Sequence, residues 1–367
     1  MDCLRLFQNY HKRTFRRFFS LSCLPMKSLI RVSGDAATDF LQGIVSHDLT
    51  LLEHNSAIHS FMLSLKGRIL SDLFIYKPGI LCGKPSYLLE SHETLVPVLL
   101  KNLTRYNLRK KVVIEHDTNL SVWIAMPSPN TNDLDLSSWL NDRCTLFDGS
   151  LPYASDPRAL PGWSFRVILP TQNSERTSFP QHGPIHSEHH SYHMKRWRLG
   201  LPECPYEIFS NESLPLECNG DLSPSVSFSK GCYIGQELTA RTRFTGVVRR
   251  RFLPVRLRFV DPAQRNLVTV GCYSLNLPIY ISKPDSERTS KSPVGFLRGF
   301  CGPASDTDFF LEGIALLRLA EVSECFSECT VSIENSSAQS IEMKVEPYIP
   351  NWWPDSVVTN IKRLPSE

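Results

Sequence analysis

Residues 227–251 read SFSKGCYIGQELTARTRFTGVVRRR, and one thiol, one lysine, one carboxylate and five arginines fall inside that stretch. At its start Val226 and Phe228 alternate with Ser225, Ser227 and Ser229, the period of a half-buried strand, and Lys230-Gly231 ends the run. The turn over residues 231–235 has a glycine at each end, which frees the backbone to bend around Cys232. Gln236, Glu237, Leu238, Ala240 and Arg241 are good helix formers, so the bend opens a short helix whose first amides face Cys232. That positive helix end and the nearby Lys230 both favour a thiolate, the form that acts as nucleophile or soft-metal ligand. Thr245-Gly246 then turns the chain into Val247-Val248 and a basic run, Arg249-Arg250-Arg251. Cysteines are more often small buried apolar residues than reactive centres. The company that Cys232 keeps weighs against that ordinary reading.

The run Lys230-Gly231-Cys232-Tyr233-Ile234-Gly235-Gln236-Glu237 matches every specified position of a K-G-C-Y-x-G-Q-E signature. It resembles the YgfZ-type proteins, relatives of the glycine-cleavage T-protein (GcvT, an aminomethyltransferase), whose mitochondrial members are iron-sulfur cluster assembly factors. The resemblance extends to Arg198-Leu199-Gly200-Leu201-Pro202-Glu203, Leu214-Pro215-Leu216-Glu217 and Thr239-Ala240-Arg241-Thr242. Nearer the start it includes Arg31-Val32-Ser33-Gly34, Phe40-Leu41-Gln42-Gly43 and Lys66-Gly67-Arg68, and it covers most of the chain. Departures from the family pattern stand at His47, Ser64, Pro161, Trp163 and Ser290.

The resemblance implies an α+β, GcvT/YgfZ-like three-domain fold with two α+β antiparallel-sheet domains and a C-terminal β-barrel. It places one α+β domain at 24–60 and 120–248, an inserted α+β domain at 61–119 and the barrel at 249–355. The residue patterns agree in outline. Phe61 to Tyr76 reads as a hairpin turning at Lys66-Gly67-Arg68, and residues 92–106 carry apolar side chains at three- and four-residue spacing, as in an amphipathic helix. Short alternating runs past Phe252 fit a small barrel. The loop at 171–191 holds His182, His186, His189 and His190, and an exposed histidine-rich loop is a better reading of it than a metal site.

Residues 1–23 carry Arg5, Lys12, Arg13, Arg16 and Arg17 against the single acid Asp2, with leucines and phenylalanines between them. That is the pattern of a mitochondrial transit peptide, and it directs the protein to the matrix. Setting those residues aside takes 40 basic and 37 acidic residues to 35 and 36, a net charge of −1, which gives no support for nucleic-acid binding. No apolar run approaches the ~20 residues of a membrane span. The 11 cysteines show no CxxC spacing, unlike a disulfide framework or a closed zinc site, and Cys325 and Cys329 read as an incidental pair.

Three function classes compete. The first, which the motif and the presequence favour, is an assembly factor acting late in the maturation of four-iron proteins, a transferase-like fold put to non-catalytic use. For that class the resemblance makes Cys232 the functional thiol and the ligand of a 2Fe-2S cluster shared with a partner, an A-type iron-sulfur scaffold, with Lys230 tuning it. It assigns tetrahydrofolate binding, in a cavity bounded by the N-terminal domains and the barrel, to Gly231, Tyr233, Gly235, Gln236, Glu237, Arg241, Arg68 and Glu217. The second class is a folate-dependent aminomethyltransferase, which requires a catalytic carboxylate that no motif here locates. The third is a Cys-His thiol enzyme, but no histidine lies near Cys232 in sequence.

Overall fold

The computed structural model describes residues 19–81, 84–108, 111–127, 153–171, 190–268, 272–281, 292–301, 310–324, 329–334 and 340–361. They fall into two compact units, one from residues 1–62, 70–179 and 224–234, the other from residues 63–69, 180–223 and 235–367.

The first unit is built on two antiparallel sheets. One joins β1 (Phe19–Cys23), β7 (Leu120–Pro127), β9 (Phe165–Pro170) and β8 (Tyr153–Ser155) in that order. The other runs β3 (Ala57–Leu63), β4 (Ile69–Leu81), β5 (Lys84–His92), β2 (Lys27–Ser33), β6 (Val113–Asp117). Helices α1 (Ala37–Gln42) and α2 (Val96–Tyr106) supply Phe40, Leu41, Val96, Leu99 and Leu103 to a core completed by Ile30, Val32, Ile75 and Leu89 of the five-stranded sheet. The spacing 96, 99, 103 is the apolar stripe expected of that helix. The Arg158 and Arg166 guanidinium groups both lie over the ring of Phe74 in β4, at 4.7 and 4.3 Å from its centroid. Each arginine is neutralised: Arg158 by both carboxylate oxygens of Asp156 (3.0 and 2.8 Å) and Arg166 by Glu90 (3.2 Å). Buried charge tolerates its surroundings only when paired in this way.

Two of the expected boundaries meet strands. The expected domain break at residue 61 falls inside β3, and β2 and β3 share one sheet with β4, β5 and β6 because the 57–81 hairpin cannot be separated from its own ladder. The expected presequence boundary at 23 also cuts past a strand, since all five residues of β1 pair with β7, Phe19 opposite Pro127 and Cys23 opposite Trp123.

The second unit is dominated by a closed barrel in the order β10 (Arg250–Phe259), β13 (Leu311–Arg318), β12 (Gly295–Cys301), β11 (Cys272–Ile281), β14 (Cys329–Glu334), β15 (Ser340–Pro347). Alternation fills it: in β15, Ile341, Met343 and Val345 point inward while Glu342 and Lys344 face out. Helix α3 (His190–Arg198) packs beside the barrel strands, α4 (Gln236–Thr245) follows the glycine turn, α5 (Leu319–Glu324) follows β13, and α6 (Asp355–Ile361) follows β15. The histidine-rich stretch is corrected where it is described. His190 and His193 are buried in α3, and His193 Nδ1 lies 2.7 Å from Arg196 Nη2, while His182, His186 and His189 lie outside the described residues.

The basic run after α4 serves the fold. Arg250 Nη2 lies 2.7 Å from Glu217, and Arg251 holds both oxygens of Asp221 at 2.7 and 2.8 Å and the Leu216 carbonyl at 2.9 Å. Those contacts tie the 214–222 segment to β10. Cys329 is buried in the barrel core, and Cys325 lies outside the described residues. No helix among the described residues is long and apolar enough to cross a membrane.

Candidate functional site

The stretch before Lys230 is not a strand. Residues 224–230 form an irregular segment, because its polar atoms reach across to a loop instead of a ladder. Ser46 Oγ donates to the Ser225 carbonyl (2.7 Å), the Ser227 amide donates to the Ser46 carbonyl (2.9 Å), and Ser225 Oγ lies 2.7 Å from His59 Nδ1. The alternation of serines with Val226 and Phe228 thus reflects a row of hydrogen bonds and not a sheet face.

Lys230 is the hub of this arrangement. Its Nζ donates to the carbonyls of Gln42, Val45 and His47 at 2.7, 2.9 and 2.9 Å, matching all three ammonium protons with acceptors. Gln42 ends α1, so the ammonium sits where helical carbonyls lack partners of their own. Burial pushes its pKa down to about 8, with Asp48 pulling the other way. Its three protons are directed at backbone carbonyls, so Lys230 fixes the chain ahead of the bend. Two residues past Cys232, the Ile234 amide donates to the Gly43 carbonyl at 3.1 Å, and the Ile234 side chain packs on the core of the first unit. Tyr233 is buried, its ring centroid 5.2 Å from Lys230 Nζ, and burial pushes its phenol up to about 12. With anchors on both sides, Gly231 and Cys232 are left exposed at the top of a fixed bend. Cys232 is exposed, Cys23 is half-buried and Cys204, Cys218, Cys301 and Cys329 are buried.

The two glycines of the motif differ. A Cβ at Gly231 would meet nothing within 4 Å, so space does not require glycine there. Gly235 has φ +79°, and a Cβ would come within 2.3 Å of the Ser64 carbonyl oxygen, so that position admits no side chain. Gly235 is the N-cap of α4, which places Gln236, Glu237 and Arg241 on that helix, Glu237 and Arg241 being exposed.

In the second unit the hairpin turn at 64–68 lies against the start of α4. Arg68 is exposed and donates to the Glu212 carbonyl, and Glu217 is held by Arg250. Lys230, Gly231, Cys232 and Tyr233 thus belong to the first unit, while Gly235, Gln236, Glu237, Arg241, Arg68 and Glu217 belong to the second.

Sequence reasoning missed the histidines beneath the bend. His47, whose carbonyl binds Lys230, is buried, with its amide on Ser60 Oγ at 2.9 Å. Burial, reinforced by His59 and Lys230 and opposed by Asp48, pushes its imidazole down to about 4. His59 is likewise held below its ordinary value by burial, and its Nε2 lies 3.9 Å from Asp72. The only sequence signal was the departure at His47. Among the described residues no group of three or more histidine, cysteine or carboxylate side chains converges as a metal site.

No family model matches the chain. The mouse (Mus musculus) protein named iron-sulfur cluster assembly factor IBA57, mitochondrial, is 36% identical over 251 residues, covering 65% of this chain and 67% of that protein. The human protein of the same name is 29% identical over 340 residues, covering 90% and 84%. An Aspergillus clavatus protein named as its homolog is 29% identical over 370 residues, covering 90% and 80%. Among solved structures, the glycine cleavage system aminomethyltransferase T from Bartonella henselae superposes with a TM-score of 0.56 at 13% identity, covering 92% of this chain and 88% of that one, a likeness of fold.

Two outcomes follow from the anchoring of the bend. Lys230→Met leaves three carbonyls without their charge-assisted partner and lowers stability by about 2 to 4 kcal/mol in urea unfolding. A variant of unchanged stability but slower Cys232 alkylation would instead show Lys230 acting on the thiol. The second outcome concerns pH. His47 protonates at about 6.5 when unfolded but at about 4 when folded. Between those values the unfolded chain binds more protons, so stability falls as the pH drops through that window, by about 3 kcal/mol from this group. His47→Gln cannot protonate and removes that part of the slope. Urea midpoints of both proteins at pH 7 and 4.5 measure the difference.

Proposed function

Because this chain belongs to the family of mitochondrial iron-sulfur cluster assembly factors named IBA57, we propose that it works through Cys232, late in the maturation of four-iron proteins in the matrix. Iron-sulfur cluster assembly in the mitochondrion is its function. The finer reading is that the Cys232 thiolate provides one ligand to a 2Fe-2S cluster shared with an A-type scaffold protein, the cluster being cargo in transit. The observation that carries this is the exposure of Cys232 on a bend pinned at Lys230 and Ile234, which keeps a soft sulfur ligand accessible to a docked partner. A ligand held on an anchored segment loses little conformational freedom when it binds.

The aminomethyltransferase reading lacks comparable support. The buried carboxylates of the first unit have structural partners: Asp156 binds Arg158, Glu90 binds Arg166 and Tyr76, and Asp72 faces His59. Tetrahydrofolate belongs to the proposal as a ligand, supported by the likeness of fold to an aminomethyltransferase.

Cys232→Ser is expected to fold with unchanged thermal stability, since an exposed turn loses little packing when sulfur becomes oxygen. In cells that depend on this protein it should fail to restore aconitase- and lipoate-synthase-type activities. In anaerobic reconstitution with the scaffold, the absorption of the mixed complex should be lost. Full rescue by the serine variant defeats the role of the thiol. Calorimetry with tetrahydrofolate should show saturable binding, and no heat at millimolar ligand removes folate from the proposal.

A further inference from the structure

Arg298 lies in β12 at a point where the ladder slips. Leu297 pairs with Ala315 and Gly299 with Ile314, so Arg298 is the extra residue of a bulge, a device that re-aims a side chain. Leu297 and Phe300 pack in the barrel core, while the Arg298 guanidinium instead lies over the Phe209 ring, 3.8 Å from its centroid, with Phe296 at 5.9 Å. The residue is only 8% exposed. Among the described residues neither Nε nor Nη1 has a hydrogen-bond partner.

Every other buried arginine named above is matched by a carboxylate: Arg158 by Asp156, Arg166 by Glu90, Arg196 by Glu207 and Arg251 by Asp221. Arg298 is not so matched, and removing an arginine from water without a partner is strongly unfavourable. The charges within its field are Glu212, Glu217 and Arg250, with the Cys218 thiol alongside. Arg250 is engaged with Glu217, and the Arg68 guanidinium lies on the Glu212 backbone. Among the described residues Arg298 itself has no carboxylate at ion-pair distance, and the Phe209 and Phe296 rings beside it favour an organic body behind a negative charge.

We propose that Arg298 anchors a binding site for an organic monocarboxylate on the barrel, with the guanidinium stacked on Phe209 and Nη1, which now lacks a partner, donating to the carboxylate. Planar guanidinium and planar carboxylate match in shape as well as charge. Glu217, singled out by sequence for ligand binding, lies within the field of this arginine. The site does not rest on the folate reading, because a carboxylate without a pterin suffices to test it.

The test uses the full chain, with benzoate and inorganic phosphate as probes at constant ionic strength, followed by calorimetry and thermal melting. Benzoate is expected to bind and raise the melting temperature, and phosphate to bind at least tenfold more weakly. Arg298→Met should lose at least tenfold in benzoate affinity while melting, without ligand, no lower than the unsubstituted protein. Should the methionine variant not fold, Arg298→Lys keeps the charge, removes the planar fork and should show the same tenfold loss. Absence of benzoate binding, tighter binding of phosphate, or equal benzoate affinity in the folded variant overturns the site.

Discussion

Three backbone carbonyls, from Gln42, Val45 and His47, converge on one ammonium. That contact fixes the functional motif. It terminates the short helix α1, which on its own has few turns to stabilise it. It also joins residues 188, 185 and 183 positions apart, so a feature of the first fifty residues and the signature cysteine become one rigid object. The neutral, buried His47 and the Ser46–Ser225 bonds form the floor on which this object stands. Exposure of the thiol is therefore a product of rigidity on either side and not of a flexible loop.

The chain's arginines are used in a consistent manner. Where one is buried in the core it lies face-on to an aromatic ring or fork-on to a carboxylate, and often both, as with Arg158 on Phe74 and Asp156. Such pairs contribute little net stability against an apolar substitute, but they forbid alternative packings in which a charge would be stranded. The same pairing explains why a run that looks like a basic surface patch, Arg249-Arg250-Arg251, has two of its three members neutralised within the second unit.

Much of this was legible in the sequence. The signature run located the exposed thiol, the helix after Gly235 and the family. Alternation past Phe252 announced the barrel, and the 96, 99, 103 spacing announced α2. What failed did so where a local pattern had a distant cause. Serines at 225 and 227 mimic a strand because they bond to Ser46, far away in sequence. Lys230 looked like a partner for its neighbour Cys232, but a long flexible side chain reaches acceptors that sequence distance conceals. His59 carries no local mark at all, since its burial depends on strand pairing. The bulge at Arg298 shifts a register by one residue, and no propensity reports that.

The pairing of β1 with β7 has a consequence for biogenesis. Phe19 to Cys23 lie against Trp123 to Pro127, about a hundred residues later in the chain, and the same sheet waits for β9 at residues 165–170. A chain that enters an organelle N-terminus first therefore carries β1 unpaired until β7, about a hundred residues later, has followed. An unpaired strand is a template for wrong partners, and distant pairing is slow to form. That strand is thus dependent on being held extended during translocation, until β7 can pair with it.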